Sequence, residues 1–78
     1  MLMDIGHRIR AWREAKGWTQ QQLADAVGVT HAAVYQWELE GGDSKTTPSL
    51  ARLESVAKAL GVSMERFFGR VPKAKAAS

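Results

Sequence analysis

A chain of 78 residues holds one domain, whose core buries only roughly 60% of the surface that the unfolded chain exposes, and this size argues against a multi-step enzyme. The net charge of +3 suits a polyanionic partner, but much of the basic excess follows Gly69 and charge alone carries little weight. Without cysteine there is no disulfide framework and no thiolate zinc site, so we expect a protein of the reducing cytoplasm.

The sequence carries no signal for membrane insertion or export. No apolar run approaches the roughly 20 residues that a helix needs to span a bilayer. Residues 1–4 are too short and too acidic to act as a signal peptide, so export is not expected.

The first predicted helix covers about residues 4–16 and ends before Gly17. Lys16 is placed favourably for the negative end of the helix dipole. Arg8 and Arg10 are interpreted as solvated charges on the helix surface. One apolar stripe recurs at three- and four-residue spacing and predicts the buried face: Ile5, Ile9 and Trp12.

Residues 19–38 hold the most informative pattern, which predicts two short helices joined by a glycine turn. Thr19 is a helix N-cap, and Gln22 lies three residues later, where its side chain can return a hydrogen bond to the cap. Gly28 ends this helix because glycine adopts the left-handed conformation without steric cost. The helix carries one apolar stripe: Leu23, Ala24 and Val27.

The next helix begins after Thr30, a second N-cap residue. Val34 and Trp37 are spaced i and i+3 and predict one buried edge. Four other side chains share a different face, which is the candidate reading surface: His31, Ala32, Tyr35 and Gln36.

After a polar connector at residues 40–47, Pro48 and Ser49 mark the start of a fourth helix. Ser63 caps a short fifth helix, and residues 70–78 are interpreted as a frayed basic tail. The fourth helix has a regular core stripe: Leu50, Leu53, Val56, Ala57 and Leu60.

No stretch alternates for long enough to form a sheet, so the prediction is an all-α fold of five helices. The strings GWTQQQLADAVGVTHAAVYQWE and TPSLARLESVAKALGVSMERFF resemble the Cro and phage-repressor type of helix-turn-helix regulators, the XRE family. The resemblance covers about residues 5–68. It implies a lambda-repressor-like DNA-binding domain over residues 1–69, in which helices two and three form the helix-turn-helix.

The resemblance also implies a function. Proteins of this family bind double-stranded DNA as sequence-specific transcriptional regulators, and we expect a homodimeric repressor that binds an inverted-repeat operator through a recognition helix in the major groove. A phage repressor or Cro protein, a restriction-modification controller and a DNA-binding antitoxin all fit. The expected setting is the cytoplasm of a bacterium, with a bacterial or phage gene and association with the nucleoid.

Carried over to matching positions, the resemblance implies that Gln20 holds a backbone phosphate at a helix N-terminus. An ordinary solvated position remains the alternative for Gln20 and for His31, and Tyr35 can equally cover the edge of the core. The remaining expected DNA contacts come from the recognition helix and the connector: Thr30, Ala32, Gln36, Lys45 and Thr47.

The chemistry of these side chains differs. Gln36 can pair bidentately with adenine, and Ala32 is small enough to meet a thymine methyl group. His31 can donate to a phosphate or to guanine N7. The helix has no arginine, so the commonest specific contact to guanine is missing. In this the chain departs from many family members, and the base preference stays open.

The resemblance implies two structural features besides DNA contact. Arg13 and Glu38 are expected to form a partly buried ion pair, because either ion buried alone would be costly. Arg13 could also donate a hydrogen bond to a phosphate. The dimer surface is expected at the end of helix four and in helix five, at Met64, Phe67 and Phe68, with one phenylalanine inside the core.

Other classes of function find little support. His7 and His31 lie 24 positions apart without nearby ligands, so no metal is expected, and no cofactor is expected either. There is no nucleophile elbow and no glycine-rich phosphate loop, so we do not expect an enzyme. The three tryptophans occupy positions typical of a core rather than of base stacking. A protein-interaction module that binds a toxin or a polymerase subunit remains the second hypothesis.

Overall fold

The computed structural model describes residues 5–39 and 48–72. These residues form only helices and connecting turns, which confirms the all-α fold. None of the helices in the two described stretches is both long and apolar enough to cross a membrane. Five helices follow one another along the chain: α1 (Ile5–Lys16), α2 (Gln20–Val27), α3 (His31–Glu38), α4 (Leu50–Leu60) and α5 (Met64–Phe68).

Local side-chain chemistry sets the helix ends where the sequence predicts them. The Thr19 hydroxyl accepts from the Gln22 main-chain N–H while the Gln22 side chain accepts from the Thr19 N–H, which completes a capping box at α2. Gly28 then ends α2 in the left-handed conformation with φ 87°. The other caps act in the same way, with each hydroxyl accepting a main-chain N–H: Thr30 at α3, Ser49 at α4 and Ser63 at α5.

The core draws on all five helices. Each helix contributes at least one residue that is 0% exposed: Ile9, Leu23, Ala24, Val34, Val56 and Phe67. α2 packs against α3 and α4, while α1 packs against α3, α4 and α5. α3 packs against α1 and α2, and four of its residues stay exposed, so part of its surface is left uncovered by the other helices.

The burial of Phe67 removes this residue from the expected dimer surface. It is fully buried, so among the two phenylalanines it is the one inside the core and cannot contribute its ring to an interface. Phe68 is 43% exposed, and the two rings meet edge to face at 5.2 Å. Successive residues of a helix point about 100° apart, so the two rings leave α5 in different directions.

The interpretation of Arg8 as a solvated charge is wrong. Arg8 is 9% exposed, and its guanidinium donates to the main-chain carbonyls of Phe67 (3.1 Å) and Gly69 (2.6 Å). Trp12 Nε1 also donates to the Phe67 carbonyl, at 3.2 Å. Carbonyls at the end of a helix have no partner further along it, so α1 supplies the donors for the Phe67 carbonyl and for that of Gly69, which follows α5.

The packed chain continues beyond the expected end of the domain at Gly69. Val71 is half-buried and packs against the core cluster. Of the three tryptophans, Trp12 belongs to the core, whereas Trp18 and Trp37 are half-buried and pack against it.

Candidate nucleic-acid interface

The uncovered face of α3 has a fixed orientation because its opposite side is anchored in the core. Val34 is 0% exposed, and Trp37, three residues later, packs partly against the core cluster. Tyr35 is 51% exposed, so covering the core does not account for its ring. Four exposed side chains therefore lie on the solvent side of one short rigid helix, and we call them the reading face: His31, Ala32, Tyr35 and Gln36.

A buried ion pair holds the end of α3 against α1. Arg13 Nε donates to Glu38 Oε2 at 2.7 Å and Arg13 NH2 donates to Glu38 Oε1 at 2.9 Å. The two side chains are 10% and 3% exposed, and Arg13 NH1 also donates to the Trp18 carbonyl at 2.7 Å. The bidentate geometry makes this a strong, directional contact. Each of the three guanidinium nitrogens donates to a group of this domain, so Arg13 has a structural role, and the second hydrogens of NH1 and NH2 leave the expected phosphate contact open.

The N-terminus of α2 is connected to both ends of α3 through Gln20. Its amide nitrogen donates to Glu38 Oε1 at 3.0 Å, and its amide oxygen lies 2.9 Å from His31 Nε2. Gln20 is therefore not an ordinary solvated position. The second hydrogen of its amide nitrogen and the main-chain N–H groups of Gln20 and Gln21, which have no partner one turn earlier in the helix, suit a phosphate oxygen.

A cleft of about 350 Å³ opens beside the reading face, between α1 and the end of α3. Gln20, Tyr35 and Leu39 line it together with Arg13 and two α1 side chains that the sequence did not single out, His7 and Arg10, to which we assign no DNA contact. Arg10 is exposed and pairs with Glu14 at 3.1 Å. The spacing of His7 and Arg10, three residues apart on α1, is the one sequence signal that places them on a common face.

Of the three other expected contact residues, the structure describes one. Thr30 accepts the Ala33 main-chain N–H at 3.1 Å, so its hydroxyl caps α3 directly beside the reading face. Lys45 and Thr47 lie outside the described residues.

The geometry defines a class of domain: two short helices joined by a glycine turn, with the second helix exposed on its outer face, form a helix-turn-helix unit. A family model described as helix-turn-helix matches residues 9–67. The chain therefore belongs to the helix-turn-helix family of transcriptional regulators of the Cro/C1 type, the XRE family.

Relatives and solved structures agree with this assignment. The chain is 39% identical over 66 residues to the competence pilus inhibition repressor of Acinetobacter baylyi, covering 85% of this chain and 56% of that protein. It is similar to the DNA-binding domain of the P22 c2 repressor, with a TM-score of 0.78, 33% identity, and coverage of 92% of this chain and 91% of that one. The P22 c2 repressor in complex with a synthetic operator gives a TM-score of 0.69 at 34% identity, covering 86% and 96%. The chain spans about half the length of the curated relatives it matches.

Proposed function

We propose that this protein is a sequence-specific regulator of transcription that represses by occupying an operator on double-stranded DNA. The proposal rests mainly on the reading face, whose side chains are exposed on the second helix of a helix-turn-helix. Buried Val34 and the Arg13–Glu38 ion pair hold the opposite side of that helix against the core and α1. A recognition helix of this size enters the major groove with its first turns against the base edges. Its site of action is the nucleoid of the bacterial cytoplasm.

Two side chains of the reading face, Gln36 and Ala32, favour A·T base pairs. Gln36 offers one donor and one acceptor, which match adenine N6 and N7, and Ala32 offers a methyl-sized contact for thymine. The sequence of α3 is HAAVYQWE, so the helix carries no arginine or lysine for bidentate contact with guanine. The Tyr35 hydroxyl can form a hydrogen bond with a phosphate or sugar at the edge of the groove. Gln20, Thr30, Lys45 and Thr47 complete the proposed contacts with the backbone.

We place two copies of the chain on each operator. One reading face touches only a few base pairs, and a good bidentate contact is worth about 1 to 3 kcal/mol, so a single domain would bind weakly. Two-fold pairing presents two copies of α3 roughly 34 Å apart, in successive major grooves of an inverted repeat. Support comes from α5, where Phe68 is 43% exposed beside half-buried Met64. An aromatic side chain of this exposure suits an isologous contact.

Selection of bound sites from a random double-stranded DNA pool at physiological salt tests the proposal. The expected result is an enriched inverted repeat whose half-sites are about one helical turn apart. Gln36→Ala should lose the preference at one position of each half-site and keep it elsewhere. Ser55→Ala, an exposed change on α4, should select the wild-type motif. Unchanged preferences in Gln36→Ala would contradict the assigned role of α3.

The alternative function is a protein-interaction module that binds a partner such as a toxin or a polymerase subunit. The exposed Phe68 ring on α5 is the observation that favours it. Failure of folded protein to enrich any DNA motif, together with partner binding that Phe68→Ala weakens, would support this alternative. Among regulators, a phage repressor or Cro protein, a restriction-modification controller and an antitoxin differ in their neighbouring genes, which therefore identify the role.

A further inference from the structure

The hydrogen bonds around Gln20 have only one consistent direction. The Glu38 carboxylate, paired with Arg13, has no proton to donate and can only accept. The part of the Gln20 amide that faces Glu38 must therefore be its NH₂ group, which places its oxygen toward His31. Since an amide oxygen only accepts, His31 Nε2 must carry a hydrogen and donate it to Gln20.

This direction determines what His31 offers to DNA. With Nε2–H committed to Gln20, only Nδ1 remains, and nothing in the described parts of the chain is hydrogen-bonded to it. In the neutral ring Nδ1 has a lone pair and accepts, while in the charged ring it carries a hydrogen and donates. A neutral His31 therefore cannot donate to a phosphate or to guanine N7, as the sequence alone suggested.

We propose that His31 is a specificity-determining residue whose Nδ1 accepts a hydrogen bond from an exocyclic amino group in the major groove, and that ring protonation reverses this base preference. The inference rests on the proposed function and deepens it. Cytosine presents only a donor there, its N4 amino group, whereas guanine presents only the acceptors N7 and O6. The neutral ring therefore favours cytosine over guanine, and the charged ring favours guanine over cytosine.

His31 occupies the first position of α3, where a recognition helix contacts base edges. Histidine is also the side chain that ordinarily changes charge between pH 5 and 8. α3 itself carries Tyr35 and Glu38, and Glu38 pairs with Arg13 of α1. The other charged and titrating groups of the two helices packed against α3 are Asp25 of α2, which accepts from Gln21, and five on α1: His7, Arg8, Arg10, Glu14 and Lys16. His7 is the second histidine of the chain and therefore the matched control.

Site selection at about pH 8 and about pH 5.5 tests the inference with wild type, His31→Gln and His7→Gln. At the higher pH, wild type should prefer cytosine over guanine at one position of each half-site by about threefold to tenfold, the value of one net hydrogen bond. At the lower pH the ratio should reverse. His31→Gln should give the same ratio at both pH values, and His7→Gln should behave as wild type.

The outcomes separate the inference from the function it rests on. Three outcomes would overturn the role of His31 and leave the proposed operator binding intact. The first is an enriched motif whose cytosine-to-guanine ratio is the same at both pH values. The others are a reversal that persists in His31→Gln and a reversal that vanishes in His7→Gln. No enriched motif at either pH would overturn both.

The hydrogen-bond direction has its own test in the free protein. Nitrogen-15 spectra of the imidazole ring at about pH 8 should show the Nε2–H tautomer for His31. Gln20→Ala removes the acceptor and should allow the Nδ1–H tautomer to become populated. A predominant Nδ1–H tautomer in wild type would contradict the inference whatever the DNA experiments give.

Discussion

Gly6 of α1 lies against the main-chain carbonyl of Trp37 in α3, so close that a Cβ atom at Gly6 would overlap the carbonyl oxygen. The obstacle is backbone rather than a flexible side chain, so it cannot move away without displacing α3. The absence of a side chain at this one position lets α1 approach α3 closely enough for Arg13 to reach Glu38. The orientation of the reading face therefore depends on a residue of the first helix.

Gly6→Ala is expected to destabilise the protein by about 1 to 3 kcal/mol through overpacking, although alanine is the better helix former by about 1 kcal/mol. Chemical denaturation followed by circular dichroism measures the free energy of unfolding. The control is Ala51→Gly on the exposed surface of α4, where loss of the alanine should itself cost about 0.5 to 1 kcal/mol. A Gly6→Ala protein more stable than wild type would show that the two helices can separate freely.

Arg8→Met removes the guanidinium that donates to the main-chain carbonyls of Phe67 and Gly69 at the end of α5. A loss of about 1 to 3 kcal/mol in the free energy of unfolding is expected, because the Gly69 carbonyl loses its partner and the Phe67 carbonyl keeps only Trp12. Arg52→Met on the exposed surface of α4 is the matched control and should change stability by no more than about 0.5 kcal/mol. Equal effects of the two substitutions would refute the role assigned to Arg8.

Glu38→Gln leaves the Arg13 guanidinium buried without its counter-ion. Breaking a buried pair from one side costs about 3 to 5 kcal/mol, so thermal unfolding should shift down by at least about 12 °C. Glu14→Gln breaks the exposed pair with Arg10 and should cost no more than about 1 kcal/mol. Similar melting temperatures for the two variants would mean that the Arg13–Glu38 pair contributes no more than a surface pair.

The adjacent phenylalanines of α5 should have separable effects. Phe67→Ala empties a fully buried position and should cost about 3 to 5 kcal/mol of stability. Phe68→Ala should cost little stability and raise the dimer dissociation constant about tenfold or more, as loss of a central interface aromatic does. Sedimentation at micromolar concentration measures the dimer. A wild-type protein that stays monomeric there, both free and bound to DNA, would exclude the dimer model.

Much of the fold was predictable because its signals are local. The cap at Thr19 and the glycine at position 28 act on neighbouring backbone groups, so the ends of α2 follow from the sequence within a few residues. The same holds for the stripe that buries Val34 and leaves the reading face of α3 uncovered, since helical spacing alone separates the two faces.

What the sequence did not reveal depends on residues distant along the chain. Arg8 has the spacing of a surface charge, and its burial follows from carbonyls that lie 59 and 61 residues later. The direction of the Gln20 to His31 hydrogen bond likewise requires Glu38 to be placed beside both, which only the packing of α2 on α3 provides. Which of Phe67 and Phe68 enters the core depends on the angle at which α5 meets α1 and α4.

The central claim is that α3 reads bases in double-stranded DNA, and the ratio of two affinities tests it most directly. The dissociation constant of the intact chain should be measured at physiological salt for the selected site and for the same DNA with both half-sites scrambled. A specific reader should prefer its site by at least about 10³-fold. Folded protein that binds the two DNAs within a few-fold of each other would contradict the claim, because phosphate contacts alone would then account for its binding.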